Sequence, residues 1–198
     1  HWETHNSLTG RLFKNYDCLM PWVDGSIAHL QQSLDVTDYQ HLREASRRDD
    51  LTLLPNRRAG LAELDAALER VATDDALLSV ALLDINFLKH INTAYSHAEG
   101  DRALLLVADV LRHGVGDNGF CFRLSGDEFI VLFPDERRHA AVRRMENMRE
   151  ELCRRCSAEG LPCAVDFSFG VVEATPGVRA SVAEVMSGAD EKMYERKK

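Results

Sequence analysis

Long apolar runs are absent from this 198-residue sequence, and so is any excess of basic residues. No uninterrupted apolar stretch approaches the ~20 residues that a membrane-spanning helix needs, so we expect no membrane segment within the chain. The 24 lysines and arginines are outnumbered by 32 aspartates and glutamates, which gives a net charge of −8. Because binding to a nucleic acid backbone requires concentrated positive charge, this balance argues against DNA or RNA as a partner.

Paired cysteines are also scarce. The chain has five cysteines, and the one close pair, Cys153 and Cys156, lies in a helical pattern without the second pair that a zinc site would need. We therefore expect reduced, mostly buried thiols and a cytoplasmic protein. The hydrophobic content of 45% is ordinary and sufficient for one full core with an accessory element. Because the first residue is not methionine, we also expect the chain to be part of a longer protein.

The first region of the chain has the pattern of a β-hairpin. The turn dipeptide Asp24-Gly25 separates two extended runs. The second run alternates, with Ala28, Leu30 and other apolar residues on one face, and this predicts a half-buried antiparallel strand. A hairpin of this size is not stable alone, so it must pack on a preceding part of the protein, on the second region or on a second copy.

A short linker helix is predicted over residues 38–49. Thr37 and Gln40 have the spacing of a capping box, which marks the start of a helix. Tyr39, Leu42 and either Ala45 or Ser46 could form a narrow seam along it. Such a seam could pair with its twin in a dimer.

The second region alternates helical and extended patterns. The run from Leu77 to Leu83 is almost unbroken apolar, which predicts a central strand covered on both faces. Further strands are predicted at 120–124, 129–133 and 163–171, and helices at 56–71, 88–95, 102–113, 137–156 and 182–193. This order predicts an α+β fold: a ferredoxin-like βαββαβ core with added helices and strands, whose helices cover one side of an antiparallel sheet.

Two acidic positions interrupt this apolar pattern. Asp84 ends the apolar strand, where a carboxylate is costly to bury unless it is paired or bound to a cation; a turn or capping role is the alternative. Asp127 and Glu128 follow Gly126 in a tight hairpin, for which an ordinary solvated turn is the alternative. Because the adjacent strands should be central neighbours, we expect both turns to meet at one edge of the sheet. Converging carboxylates with a free carbonyl suit Mg²⁺.

The turn after Asp84 adds groups that suit phosphate. The residues from Ile85 through Phe87 and Leu88 to Lys89 begin a helix, and the free backbone N–H groups at a helix N-terminus hold phosphates. Lys89 also contributes a mobile positive charge. A metal site, backbone amides and a lysine are the parts that nucleotidyl transfer needs.

The acidic hairpin also carries a family resemblance. Residues 125–129, SGDEF, resemble the signature of the GGDEF family of diguanylate cyclases, with Ser in place of the first Gly. The stretch from Asp50 to Arg58 is similar to the family's opening D-x-L-T-G-L-x-N-R, with Leu53 where Gly is usual. Residues 84–101, DINFLKHINTAYSHAEGD, are similar to D-x-D-x-F-K-x-x-N-D-x-x-G-H-x-x-G-D, and residues 168–170 and 189–194 match the last strand and helix. The resemblance spans residues 50–198.

The resemblance implies a fold of the nucleotide-cyclase or palm type and the condensation of two GTP molecules into cyclic di-GMP. Mg²⁺ or Mn²⁺ would be held by Asp84, the carbonyl of Ile85 and Asp127. Asp127 would also help to deprotonate the attacking ribose 3′-hydroxyl. Glu128 would support a second metal ion or the local geometry, and Lys89 would stabilise charge developing on the phosphates.

The resemblance also implies the GTP contacts. Asn92 and Asp101 would read the guanine edge, because a carboxylate can accept from the N1–H and the exocyclic amine that adenine does not present together. His97 would lie beside the nucleotide, and Lys197 would reach the triphosphate; surface roles are the alternative for Asn92, His97 and Asp101. Since each domain would hold one GTP, catalysis would require a homodimer.

Three departures from the family pattern keep other functions open. Asn86 replaces the second Asp of D-x-D, Ser96 replaces a Gly, and Ser125 replaces the first Gly of the signature. The alternative to the enzyme is a catalytically degenerate domain that senses GTP without turnover. A purely structural signalling dimer is a third hypothesis, but it leaves the acidic turns unexplained.

The first region resembles the closing strands of a PAS sensor domain. The stretch from Gly10 to Thr37 has this pattern, and Asp35-Val36-Thr37 is similar to the D-[IV]-T that ends many such domains. The resemblance implies an upstream sensor domain as a partner. The expected organisation is a PAS-like β segment over 1–37, a linker helix over 38–49 and a cyclase domain over 50–198.

Overall fold

The computed structural model describes residues 2–9, 11–38, 47–74 and 76–197. The chain divides into two compact units, His1–Arg47 and Arg48–Lys198. Most of the linker helix predicted over 38–49, with the Gln40 end of its capping box and its seam, lies outside the described residues. Its predicted end is wrong, because residues 47–49 are not helical and Arg48 forms a β-bridge with Pro55. None of the helices in the described part of the chain combines the length and the apolar character needed to cross a bilayer.

The first unit is a three-stranded antiparallel sheet. Its strands are β1 (Trp2–His5), β2 (Leu12–Pro21) and β3 (Ile27–Asp35), in that spatial order. The predicted hairpin is confirmed: the N–H of Trp22 donates to the carbonyl of Ser26 over 2.8 Å, and the N–H of Gly25 donates to the carbonyl of Trp22 over 3.0 Å. Strand β1 was not predicted, because four residues are too few for a clear alternation.

Both faces of this sheet mix apolar and polar side chains. Cys18 pairs with Leu30, so their side chains share a face with Gln32, whereas Leu19 and Ile27 lie on the opposite face. Leu30 is nevertheless 56% exposed, so the predicted half-burial is wrong for this residue. The described residues of the unit form a single layer, and a sheet face is buried only by a second layer. On that opposite face, Asn15 is buried and hydrogen-bonds the hydroxyls of Thr4 and Ser33.

The second unit has the predicted α+β order. In sequence its elements are α1 (Arg57–Asp74), β4 (Leu78–Ile85), α2 (Leu88–Ala94), α3 (His97–Gly114), β5 (Phe120–Ser125), β6 (Glu128–Pro134), α4 (Arg138–Ala158), β7 (Phe167–Ala174) and α5 (Val182–Lys197). The sheet order is β5-β6-β4-β7, and all neighbouring strands are antiparallel. This is the ferredoxin-like βαββαβ arrangement, and the predicted fold class is confirmed.

Helices cover both faces of this sheet, so the expectation of helices on one side is wrong. Helices α2, α3 and α4 pack on the face that carries Leu83 and Phe129. Helices α1 and α5 pack on the opposite face, around Val80 and Phe122. The central strand β4 is apolar on both faces, and each face needs its own layer to exclude water.

Two element boundaries also differ from the prediction. Helix α3 begins at His97 and not at residue 102, because the hydroxyl of Ser96 caps it by accepting from the N–H of Glu99 over 3.2 Å. Strand β7 begins at Phe167 and not at residue 163. Its first partner, Ile85, is the last residue of β4, so residues before Phe167 have no strand to pair with. Within α3, Leu105 is 43% exposed, whereas the neighbouring Leu104 and Leu106 are buried.

Candidate active site

The two acidic segments are neighbours at one end of the central strands. Asp84, near the end of β4, is the register partner of Glu128, the first residue of β6. One residue further, the backbone N–H of Ile85 donates to the carbonyl of Asp127 over 3.0 Å. The side chains of Asp84, Asp127 and Glu128 are all half-buried. The expected meeting of the two turns at one edge of the sheet is therefore present.

The acidic hairpin uses the backbone freedom of its glycine. Gly126 has φ +26°, and a Cβ at this position would meet nothing within 4 Å, so conformation and not space favours glycine here. The hydroxyl of Ser125 donates a hydrogen bond to the carboxylate of Glu128. The residue that replaces the first Gly of the signature thus engages one of the two carboxylates.

Arg123 links this hairpin to the start of the second unit. Its Nε and one terminal nitrogen donate to the carbonyl of Gly126 over 3.1 and 2.7 Å. Its other terminal nitrogen donates to the carboxylate of Asp49 over 2.9 Å. Neither side chain was predicted from the sequence to take part in the site.

Asp49 organises the opening turn of the second unit. Its carboxylate accepts from the backbone N–H of Thr52 over 2.8 Å and from the hydroxyl of Thr52 over 2.7 Å. Partial burial alone would raise the pKa of Asp49, but the bonds from Thr52 and Arg123 outweigh it and hold the pKa below the ordinary value. Asp49 therefore corresponds to the first Asp of the family's opening pattern D-x-L-T-G-L-x-N-R. The predicted correspondence, which began at Asp50, is wrong by one residue.

The turn after β4 exposes one side chain and buries the next. Phe87 has φ +59° and its side chain is 81% exposed, whereas the side chain of Leu88 is buried in the core. Leu88 can therefore offer a nucleotide only its backbone. Lys89, on the first turn of α2, is exposed.

Helices α2 and α3 bring the expected guanine-reading residues together. A Cβ on Gly100 would lie 1.8 Å from the amide oxygen of Asn92, so the Asn92 side chain rests on the backbone of α3 at Gly100. Asp101 is the next residue and is exposed, as is His97 one turn earlier. The side chain of Lys197 lies outside the described residues.

The residues expected to hold a divalent cation at Asp84 would all bind it through oxygen atoms. No group of three or more His, Cys, Asp or Glu side chains suited to a metal ion is found in the described ranges. The set expected here differs, because it consists of two carboxylates, from Asp84 and Asp127, and the main-chain carbonyl of Ile85. Mg²⁺ prefers such oxygen ligands and commonly keeps the remaining positions for water and phosphate oxygens.

A βαββαβ sheet with acidic residues converging at the ends of its central strands defines a nucleotide-cyclase-type domain. The family model described as "Diguanylate cyclase, GGDEF domain" matches residues 46–198. The chain thus belongs to the GGDEF family of diguanylate cyclases, as the sequence motifs predicted.

Curated relatives and solved structures agree with this assignment. The chain is 33% identical over 158 residues to diguanylate cyclase DgcP of Pseudomonas aeruginosa, covering 79% of this chain and 23% of that protein. It is 32% identical over 178 residues to the response regulator PleD of Caulobacter vibrioides, covering 85% of this chain and 37% of PleD. The chain therefore spans well under half of the length of these relatives.

Among solved structures, the coiled coil and GGDEF domain of DgcB from Caulobacter crescentus, in complex with c-di-GMP, has a TM-score of 0.73 and 30% identity. That match covers 81% of this chain and 85% of the DgcB chain. The active GGEEF domain of a diguanylate cyclase from Vibrio cholerae has a TM-score of 0.66 and 27% identity, covering 72% of this chain and 90% of that one.

Proposed function

We propose that the second unit condenses two GTP molecules into cyclic di-GMP with release of two pyrophosphates. The observation that carries this proposal is the pairing of β4 with the acidic hairpin: Asp84 opposite Glu128, and the N–H of Ile85 on the carbonyl of Asp127. This pairing keeps the carboxylates from two distant parts of the sequence beside each other. Retention of these carboxylates in a family of diguanylate cyclases supports an active enzyme.

A divalent cation, Mg²⁺ or Mn²⁺, is the proposed cofactor. Asp84, the carbonyl of Ile85 and Asp127 would hold it. When bound, the cation supplies Lewis-acid stabilisation of charge on the phosphate oxygens.

The acidic hairpin and the start of α2 would carry the chemistry. Asp127 would help to deprotonate the ribose 3′-hydroxyl, whose oxygen attacks the α-phosphorus of the second GTP while the bond to pyrophosphate breaks. Glu128, restrained by the hydroxyl of Ser125, would fix the local geometry or support a second cation. Lys89 would stabilise the negative charge that develops on the phosphates.

GTP would be selected by α2 and α3. The amide of Asn92, seated on Gly100, and the carboxylate of Asp101 would pair with the guanine edge. His97 would lie beside the nucleotide. The backbone amides of Phe87 and Leu88 would approach its phosphates, and Lys197 would reach the triphosphate from α5.

The reaction needs two GTP-loaded domains facing each other, so the active species would be a homodimer. The organisation proposed is a PAS-like β segment over 1–37, a linker from residue 38 and a cyclase domain whose start moves from the predicted residue 50 to Asp49, because that carboxylate closes the opening turn. In this arrangement an upstream sensor domain would set the dimer and hence the rate, and the protein would act in the cytoplasm. No nucleic acid partner is proposed.

The second candidate is a degenerate domain that binds GTP as a regulatory signal without turnover. The bond from Ser125 to the carboxylate of Glu128 favours it, because a carboxylate held by a neighbouring hydroxyl has fewer free lone pairs for a metal ion.

The decisive experiment is incubation of the protein with GTP and Mg²⁺, followed by chromatography for cyclic di-GMP and pyrophosphate. Asp127→Asn should lower product formation at least ~100-fold, because it removes both a metal ligand and the proposed proton acceptor. Asp117→Asn, which changes an exposed turn aspartate between α3 and β5, is the matched control and should be as active as the wild type.

Circular dichroism should show the same fold for the wild type and Asp127→Asn. GTP binding without product in the wild type would favour the regulatory candidate. Full activity of Asp127→Asn would refute the role assigned to that carboxylate.

A further inference from the structure

A hydrogen-bonded chain of side chains reaches the proposed metal-binding turn from helix α4. The guanidinium of Arg149 donates from Nε and a terminal nitrogen to the two carboxylate oxygens of Asp166, over 2.5 and 2.7 Å. Asp166 in turn accepts from the amide nitrogen of Asn86 over 3.4 Å. The amide oxygen of Asn86 accepts from the hydroxyl of Ser168 over 2.7 Å. Three side chains from two other segments, those of Arg149, Asp166 and Ser168, are thus linked to Asn86, the residue after Ile85.

The same segments are also joined through the backbone. The N–H of Asn86 donates to the carbonyl of Asp166 over 2.8 Å, just as the N–H of Ile85 donates to the carbonyl of Asp127 over 3.0 Å. Two consecutive residues at the end of β4 are therefore held from opposite sides, one by the acidic hairpin and one by Asp166. The carbonyl of Ile85 belongs to the same trans peptide group as the N–H of Asn86, so the hydrogen bond from that N–H to Asp166 also fixes the direction of the carbonyl.

Asn86 fits this environment as a neutral amide. It occupies the position of the second Asp in the D-x-D pattern, and its amide group presents a donor to Asp166 and an acceptor to Ser168. A carboxylate at residue 86 would lose the donor and place a like charge beside Asp166. The neutral amide of Asn86 is therefore compatible with the negative charge of Asp166.

The ion pair between Arg149 and Asp166 is not placed to stabilise the fold strongly. Its side chains are 45% and 41% exposed, and Arg149 also lies 3.9 Å from Glu146. Exposed pairs contribute little to unfolding free energy. The bidentate geometry fixes direction, however, because the planar guanidinium holds both carboxylate oxygens at once.

We propose that Arg149 is a positioning residue for the divalent cation. It orients the carboxylate of Asp166, which orients Asn86 and thereby the carbonyl of Ile85. This inference rests on the metal site in the proposed function. It assigns to that site a side chain on α4 that does not itself contact the cation.

The direction in which the affinity for the divalent cation changes when Arg149 is replaced distinguishes a positioning role from a purely electrostatic one. Arg149 is a cation, so a purely electrostatic influence would repel Mg²⁺ or Mn²⁺, and Arg149→Ala would strengthen metal binding. A positioning role predicts the opposite. Loss of partners that orient metal ligands commonly costs 10- to 100-fold in affinity, and because Arg149 acts through two further residues we expect about 5- to 10-fold.

The test is a titration of the full chain with Mn²⁺, with free Mn²⁺ measured by electron paramagnetic resonance in the presence of 3′-deoxy-GTP, which cannot attack. Arg149→Ala should raise the Kd for Mn²⁺ about 5- to 10-fold. Arg149→Lys keeps the charge without the two-pronged contact and should also weaken binding. Asp166→Asn combined with Arg149→Ala should add little further weakening, because both act along one chain of contacts.

Arg154→Ala is the matched control, since Arg154 lies on the same helix and pairs with Glu151. It should bind Mn²⁺ like the wild type. Unchanged or tighter Mn²⁺ binding by Arg149→Ala and Arg149→Lys would overturn the inference. A wild type that binds Mn²⁺ but makes no cyclic di-GMP would refute the proposed cyclase activity, and the Mn²⁺ titration alone would then decide the role of Arg149. A wild type that binds no Mn²⁺ would overturn both proposals.

Discussion

In each of the two units, an aspartate accepts hydrogen bonds from a threonine and from an arginine. In the first unit Asp35 accepts from the backbone N–H of Thr37 over 3.0 Å, from its hydroxyl over 2.6 Å and from Arg11 over 3.0 Å. The bond from the Thr37 hydroxyl is the largest cause that lowers the pKa of Asp35. This trio closes the end of strand β3.

In the second unit Asp49, Thr52 and Arg123 repeat these contacts, but their surroundings differ. The side chains of Arg123 and Asp49 are 14% and 23% exposed, against 62% and 36% for Arg11 and Asp35. Arg123 also donates to the carbonyl of Gly126 in the acidic hairpin. The comparison teaches that identical partners matter in proportion to their shelter from water and to what else they hold.

The largest expected difference between the two units is the stability that each loses when its arginine, Arg123 or Arg11, is replaced by alanine. Arg123→Ala should lower the unfolding free energy of the second unit by about 2 kcal/mol, because it leaves sheltered acceptors without a charged donor. It should also reduce any cyclase activity, since the hairpin carbonyl at Gly126 loses both of its bonds from this side chain. Arg11→Ala should have no measurable effect on the first unit, whose pair is well exposed.

The two units can be followed separately in one urea titration. Both tryptophans, Trp2 and Trp22, belong to the first unit, so their fluorescence reports its unfolding. The five helices described in the second unit dominate the far-ultraviolet circular dichroism. Equal losses of stability for the two arginine variants would contradict the comparison.

A smaller effect is expected from the pH dependence of Asp49. Because its pKa in the folded protein is lowered, its stabilising effect is present above the unfolded value near 4 and is lost as the pH falls through the folded pKa. Asp49→Asn should therefore cost about 1 kcal/mol at pH 7 and much less at pH 3. Urea titrations of the wild type and the variant at both pH values measure this difference, and a constant gap would contradict the assignment.

The smallest effect concerns Leu53, which follows Thr52 in the same turn. Leu53 has φ +57°, a conformation that costs a side-chain-bearing residue about 1–2 kcal/mol, whereas glycine loses about 0.5–1 kcal/mol of chain entropy. Leu53→Gly should thus stabilise the second unit by about 0.5 kcal/mol. In the first unit the turn residue at φ +87° is already glycine, so Gly25→Leu should be destabilising. Denaturation midpoints of both variants provide the check.

Local pattern and strand order were enough to predict most of the second unit. The unbroken apolar run before Asp84 predicted a central strand, and antiparallel neighbours then placed Asp84 close to the hairpin of Asp127. The same run, apolar on both faces, already contained the signal for helices on both sides of the sheet. The expectation of a two-layer fold nevertheless led to the wrong prediction of helices on one side only.

Individual side-chain hydrogen bonds between distant parts of the sequence could not be predicted. Arg123 and Asp49 are separated by 74 positions, and nothing in either local pattern indicates the other. The start of α3 was missed because Gly100 looks like a helix breaker, whereas it allows Asn92 to rest on the helix. The bond from Ser125 to Glu128 depends on side-chain rotamers that a sequence pattern does not encode.

Because β4 pairs with both β6 and β7, the proposed site forms only when the strands have their native register. Side chains alternate between the two faces of a strand, so a slip of one residue against β6 would turn Leu83 and its apolar neighbours out of their layer at the same moment that it separated Asp84 from Glu128. Gradual drift of the catalytic geometry through misregister is therefore not available to this domain. A chain that folds with an intact hydrophobic core has, by the same pairing, already brought its acidic residues together.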